Sequence, residues 1–184
     1  MRKYAVTALL LVAAFGARAA DNITLVLDWY INPDHAPIMV ADQIGAFKEA
    51  GLDVTIVPPS DPALPPRLVA AGKADLAITY QQQLYFFAQD RLPLVRVGTL
   101  VDTPLDTIIT LDKSIKTPAD LKGKRVGYSI GGTEGATLDT IARHVNLDPK
   151  SIQTVNVNFQ LTSALLAGQV DAILGGYRNI EAVE

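Results

Sequence analysis

The chain has 184 residues, 49% hydrophobic and 19% charged, with a net charge of -3, an ordinary globular composition. It contains no cysteine, which excludes disulfides, thiol catalysis and cysteine-based metal sites. The mild acidity offers none of the basic surface that nucleic acid requires, so no nucleic-acid partner is expected.

The chain opens MRKYAVTALLLVAAFGARAA. Arg2 and Lys3 precede an apolar run from Ala5 to Phe15, and Ala17-Arg18-Ala19 is a small-x-small triplet. This is the pattern of a secretory signal peptide, residues 1–19, cleaved after Ala19. The run is too short to span a bilayer as a helix. With no Cys after the cleavage site, a lipid anchor there is excluded, and the mature chain is expected to be soluble and periplasmic.

Strand and helix patterns then alternate. Ile23 to Leu27 reads as a buried strand. Asp34 is placed to cap a helix running to about Ala50, with Ile38, Ala41, Ile44 and Phe47 on one stripe, and Gly51 ends it in a left-handed cap. LDVTIV is the next strand. Pro65 and Pro66 open a helix; DLAITY is a strand, QQQLYFFAQD a short helix, LVRVGTLV a further strand and DTIITL an extended segment. Thr117-Pro118-Ala119-Asp120 resembles a helix start. KRVGYS, IQTVNVN and VDAILGG read as strands, TEGATLDTIARHV and TSALLAG as helices. Alternating β and α implies parallel sheets covered by helices, an α/β protein.

One echo divides the chain. LVAAGKADLAIT (Leu68 to Thr79) resembles ALLAGQVDAILG (Ala164 to Gly175). Both run from an apolar helix end through Ala-Gly to an Asp and a strand, and each follows another strand, LDVTIV or IQTVNV. Gly72 and Gly168 are the expected helix caps, and Asp75 and Asp171 the expected strand starts. Two similar α/β lobes follow, joined near Val101 to Leu105.

Ligands of open parallel sheets bind beyond the carboxyl ends of the strands. Five such ends carry polar or aromatic residues: Trp29, Tyr30 and Asn32; Tyr80 and Gln81; Ser129, Gly131, Gly132 and Glu134; Asn158 and Gln160; Tyr177 and Glu181. The turn SIGGTEG, between strand and helix, has the makings of an anion site. It lacks the spacing of a P-loop or a dinucleotide fingerprint. Glu134 already brings negative charge to that helix start, so a neutral or partly cationic ligand is favoured; the same residue also serves the helix dipole. Neither a nucleophile elbow nor metal-ligand spacing is present, so no catalytic residue, metal or cofactor is expected. His35, beside Asp34, reads as a helix-start residue or cleft contact rather than a base.

LDWYINPDHAPIMVADQIGAFKEAGLDVTIVPP, LPLVRVGTLVDTPLDTI, DLKGKRVGYSIGG and LLAGQVDAILGGYRNIE together resemble the periplasmic solute-binding proteins of ABC importers. Within them they are similar to the group that binds thiamine pyrimidine precursors (hydroxymethylpyrimidine, formylaminopyrimidine), which is related to the eukaryotic pyrimidine-precursor synthases. The resemblance covers nearly all of residues 21–184. It implies a two-lobed type II periplasmic-binding-protein fold closing on a small molecule, with a membrane permease as partner. It implies a pyrimidine stacked on Trp29 and Tyr177, an Asn32 hydrogen bond to it, and a Glu181 carboxylate accepting paired N–H groups. Trp29 lies past a strand end beside polar Asn32, which favours a ligand-facing wall over a core plug.

Two departures bear on this. The synthases use a cysteine-rich iron motif, absent here, although their active-site His aligns near His35. The family chain also returns to its first lobe after the second, whereas this sequence stops at NIEAVE. The expected organisation is therefore a signal peptide (1–19), an incomplete first lobe (20–103), a second lobe (104–176) and the start of a return segment (177–184), a truncated fragment of marginal stability. A solute-binding protein for a sulfonate, riboflavin or another aromatic compound is the alternative, and a synthase-like enzyme a more distant one.

Overall fold

A computed structural model describes residues 20–176. The signal-peptide segment, Tyr177 and Glu181 lie outside the described residues. The first lobe runs β1 (Asp21–Val26), a 3-10 turn (Pro33–His35), α1 (Ala36–Gln43), α2 (Ala46–Glu49), β2 (Leu52–Val57), α3 (Pro65–Ala70), β3 (Leu76–Ala77) and α4 (Gln81–Gln89). The second runs β4 (Asp106–Ile109), a 3-10 turn (Pro118–Leu121), β5 (Arg125–Tyr128), α5 (Thr133–His144), a 3-10 turn (Pro149–Ser151), β6 (Gln153–Asn156), α6 (Leu161–Leu166) and β7 (Ala172–Gly176).

The sheets share one plan. The first is ordered β2-β1-β3, all parallel. The second is ordered β4-β7-β5-β6, with β6, β5 and β7 parallel and β4 antiparallel along the outside of β7. Without β4 the two orders correspond strand for strand. Both are the open α/β arrangement expected from the alternation of elements.

The sequence echo is a repeated piece of hydrogen bonding. Gly72 and Gly168 both sit at φ 66°, the left-handed conformation that glycine adopts without steric cost. Past them, Lys73 N–H reaches back to the Leu68 carbonyl, and Gln169 N–H to that of Ala164, closing two Schellman caps. Asp75 then gives its N–H to Thr24 O and takes Thr24 N–H on its carboxylate at 2.7 Å. Asp171 does the same with Arg125, giving N–H to its carbonyl and accepting its N–H at 2.7 Å. The second copy is reinforced: the Arg125 guanidinium also grips the Asp171 carboxylate and the carbonyls of Gly168 and Gln169.

The core of the second lobe is divided by β7. Ala172 and Leu174 face a cluster with Leu121, Val126, Leu138, Ala142 and Ile152. Ile173 faces the opposite way, onto Leu161, Ala164, Leu165 and Val170. A strand covered by helices on both faces is apolar throughout, which is why AILGG carries no polar residue.

Three expectations change. The helix from Asp34 is broken: Asn32, not Asp34, is the cap, with its side chain accepting Asp34 N–H at 2.9 Å. Gly45 at φ 78° then separates α1 from α2, so Ile44 drops off the expected stripe and is exposed. DLAITY contracts to a two-residue strand. LVRVGTLV joins neither sheet among the described residues; Val95 and Val97 are 84% and 78% exposed, so its apolar pattern has no sheet neighbour to bury it.

Leu174→Ala should lower the unfolding free energy by about 2–5 kcal/mol, the cost of deleting a buried leucine. Thr154→Ala, exposed on edge strand β6, should change it by no more than about 0.5 kcal/mol. Urea unfolding of both variants checks the placement of the core.

Candidate functional site

The exit of β1 is organised by a carboxylate. Leu27 is fully buried, and the next residue, Asp28, accepts from His35 Nε2 at 2.8 Å. The other ring nitrogen, Nδ1, takes the Asn32 backbone N–H at 3.3 Å. Since Nδ1 accepts, the ring is the Nε2–H tautomer, and Asp28 is its acceptor. The Tyr80 hydroxyl, at the exit of β3, also hydrogen-bonds Asp28. Burial first, then Asp28, holds the Tyr80 phenol well above its ordinary range, with the charges of Asp106 and Glu134 adding to the effect. First-lobe Tyr80 thus lies within the electrostatic reach of two second-lobe carboxylates. His35, 1% exposed, has both nitrogens committed within the fold. Asn32 spends its side-chain oxygen on Asp34 N–H and its NH2 on the Tyr30 carbonyl at 3.0 Å.

Trp29 and Tyr30 leave this knot towards the second lobe. Trp29 is half-buried and packs on the cluster around Leu161 and Ile173. Its ring meets Phe159 edge to face at 4.7 Å between centroids, and Tyr30 meets Phe159 at 4.5 Å. Trp29 and Tyr30 lie 6.4 Å apart, so Phe159 is close to both. Asn158, exposed, turns the chain with φ 53° and donates its N–H to Asn156 Oδ1 at 2.9 Å.

At the exit of β5 the expected anion cradle is filled from within. Glu134, in the first turn of α5, is 5% exposed. One carboxylate oxygen accepts Ser129 N–H at 2.6 Å and Ile130 N–H at 2.8 Å, while the other takes the Ser129 hydroxyl at 3.2 Å. Gly131 is exposed, and Gly132, at φ 85°, is the N-cap of α5. Burial pushes the Glu134 carboxyl up to about 7 against the pull of those N–H bonds, and the charge of Asp106 pushes the same way. Asp106, half-buried at the start of β4, is itself raised by burial.

Gln81 points elsewhere: it accepts from Arg96 at 2.8 Å and donates to the Tyr85 hydroxyl on the exposed side of α4. A partly open cavity of about 400 Å³ runs between α4 and α5, lined by Tyr85, Phe86, Thr133, Ala136, Thr137 and Ile141 among others. No metal-binding cluster of His, Cys, Asp or Glu occurs among the described residues, and none of their helices is long and apolar enough to cross a membrane. Sequence reasoning overlooked Asp28, Asp106 and Phe159. The position of Asp28, the first residue past an apolar strand, was the available signal for it. Phe159 was flanked by polar turn residues, and only the fold brings it to Trp29.

The titration of Glu134 makes stability pH-dependent. Its folded value, about 7, lies above the ordinary 4.5, so the native state binds the extra proton. Its contribution is fully present below about pH 4.5 and is lost as pH rises through about 7, a span worth about 3 kcal/mol. Glu134→Gln keeps one oxygen for both backbone N–H groups. It should flatten the dependence between pH 4.5 and 7 in urea midpoints.

The NMT1/THI5 like family matches residues 32–184 of the chain. A Haemophilus influenzae protein named for thiamine biosynthesis is 52% identical over 164 residues, 89% of this chain and 52% of its own. The formylaminopyrimidine-binding protein of Halalkalibacterium halodurans is 33% identical, across 98% of this chain and 58% of its own. A Legionella pneumophila protein named as a hydroxymethylpyrimidine phosphate synthase is 34% identical, across 89% and 52%. The periplasmic aliphatic sulphonate binding protein SsuA of Escherichia coli superposes with a TM-score of 0.67 at 20% identity, covering 89% of this chain and 56% of that one, a likeness of fold. This chain spans about half the length of the curated relatives it matches. Matched over most of its length, the chain belongs to the NMT1/THI5-like family.

Proposed function

We propose that this chain captures a flat, uncharged, N–H-rich ring, a thiamine pyrimidine precursor, between its two lobes and delivers it to the membrane permease of an ABC importer. The observation that carries this reading is the filled cradle at the exit of β5. Glu134 occupies the N–H groups that would otherwise hold a sulfonate or phosphate, so an anion there meets a buried carboxylate instead of free donors. The rings of Trp29 and Tyr30 lie at the exit of a neighbouring sheet, and suit a planar ligand. The name of the Halalkalibacterium relative supports the same ligand class. The first lobe is taken as residues 20–103 and the second as 104–176. Export through residues 1–19 is part of the proposal.

Binding rather than synthesis is favoured by His35. The His35 ring is committed to Asp28 and the Asn32 backbone, leaving it no free nitrogen for proton transfer. In the proposed site Trp29 stacks on the ring, with Tyr30, Asn32, Tyr80, Gly131, Gly132, Glu134, Asn158 and Tyr177 around it, and Glu181 accepts paired N–H groups; Gln81, turned to Arg96 and Tyr85, and His35, buried behind Asp28, are left out of it.

Mass spectrometry of material co-purifying with the protein should find an aminopyrimidine, and calorimetry should give saturable binding of formylaminopyrimidine or hydroxymethylpyrimidine. An alkanesulfonate bound in their place would overturn the reading. Glu181→Gln should weaken pyrimidine binding by about 1.5–3 kcal/mol, the range for a hydrogen bond to a charged group. Unchanged affinity would remove Glu181 from the site.

A further inference from the structure

The aromatic contact between the lobes has a third member that neither the motifs nor the relatives point to. Phe159 stands on the loop leaving β6, in the second lobe. Its ring centroid is 4.7 Å from that of Trp29 and 4.5 Å from that of Tyr30, both on the loop leaving β1 in the first. The angles are 72° and 40°, so the three rings form a corner rather than a parallel stack. Trp29 is held from behind by the Leu161 cluster, and the left-handed turn at Asn158 directs the chain into Phe159.

A purely structural aromatic trio would be buried. This one is partly wet: Trp29 and Phe159 are half-buried and Tyr30 is 53% exposed. It lies at the carboxyl ends of strands from both sheets, where open α/β folds bind ligands. Aromatic surface left open there gains by covering a planar ring, in edge-to-face or offset contact.

We propose that Phe159 is a specificity-determining residue: with Trp29 and Tyr30 it makes a three-ring corner, contributed by both lobes, that accepts a flat aromatic ring and discriminates against an aliphatic ligand of equal size. This rests on the proposed capture of a planar ligand between the lobes, but not on that ligand being an aminopyrimidine.

The test is calorimetry on the protein with a panel of formylaminopyrimidine, hydroxymethylpyrimidine, riboflavin, benzamidine, its saturated counterpart cyclohexanecarboxamidine, and an alkanesulfonate. Phe159→Leu, which keeps apolar volume but removes the ring, should weaken the flat ligands roughly tenfold. Phe159→Tyr should keep affinity within about twofold. Emission from Trp29, the sole tryptophan, should change on mutation and on saturation with a flat ligand. Unchanged or tighter binding by Phe159→Leu overturns the role, as does wild-type protein that binds no flat ring in the panel. Should Phe159→Leu fail to fold, wild-type preference for benzamidine over its saturated counterpart decides: a clear preference supports the corner and equal affinity overturns it. Loss of riboflavin binding in Phe159→Leu, with pyrimidines ignored by the wild type, would remove the pyrimidine reading and leave this one standing.

Discussion

Two aspartates hold the framework in register. Parallel strands have no hairpin between them to set their pairing, and a slip of one residue would turn every side chain to the opposite face. Asp75 and Asp171 remove that freedom. Each exchanges two hydrogen bonds with the strand beside it, at Thr24 and Arg125, immediately after a left-handed glycine has ended the preceding helix. With Thr24 of β1 and Arg125 of β5 fixed, the carboxyl ends of those strands are fixed too, two and three residues on. The residues that leave those ends, Asp28 to Asn32 and Ser129 to Glu134, are held in place by the same bonds.

The two exits solve opposite electrostatic problems. At β1 the carboxylate of Asp28 receives donors from His35 and Tyr80, tying three elements of the first lobe into one knot. At β5 the donors are backbone N–H groups and the carboxylate comes from Glu134, one helical turn ahead. Desolvation and hydrogen bonding compete there, and the rise to about 7 says that burial wins. Asp106, itself raised by burial, pushes Glu134 the same way. The fold is like that of a sulphonate-binding protein, and here one side chain, Glu134, occupies the N–H groups at this strand exit. Fold and specificity are separable in this way because function resides in the site.

Trp29 links this local chemistry to the packing of one lobe on the other. It belongs to the first lobe by sequence, and packs on the second by contact. The ring therefore forms part of the contact between the two lobes. Tyr80 repeats the arrangement in polar form, a first-lobe phenol shifted partly by the charges of Asp106 and Glu134 in the second lobe.

The sequence by itself determined the local features. Most of the strand and helix order, the repeated lobe plan, the glycine caps at Gly51, Gly72 and Gly168, and the strand-starting aspartates were legible, because each depends on residues a few positions apart. It also assigned the site candidates to strand ends, since that follows from the order of elements. Tertiary structure decided everything that depends on distant neighbours. Asn32 rather than Asp34 caps the first turn because His35 is drawn to Asp28. LVRVGTLV has the pattern of a strand and finds no ladder among the described residues, since a strand exists only where another pairs with it. Glu134 reads as a first-turn carboxylate facing a ligand or serving the helix dipole, and only the folded loop shows it buried among the Ser129 and Ile130 N–H groups. Phe159 and Trp29 are 130 positions apart in the chain. No periodicity joins them, and only the packing of one lobe on the other brings their rings into contact.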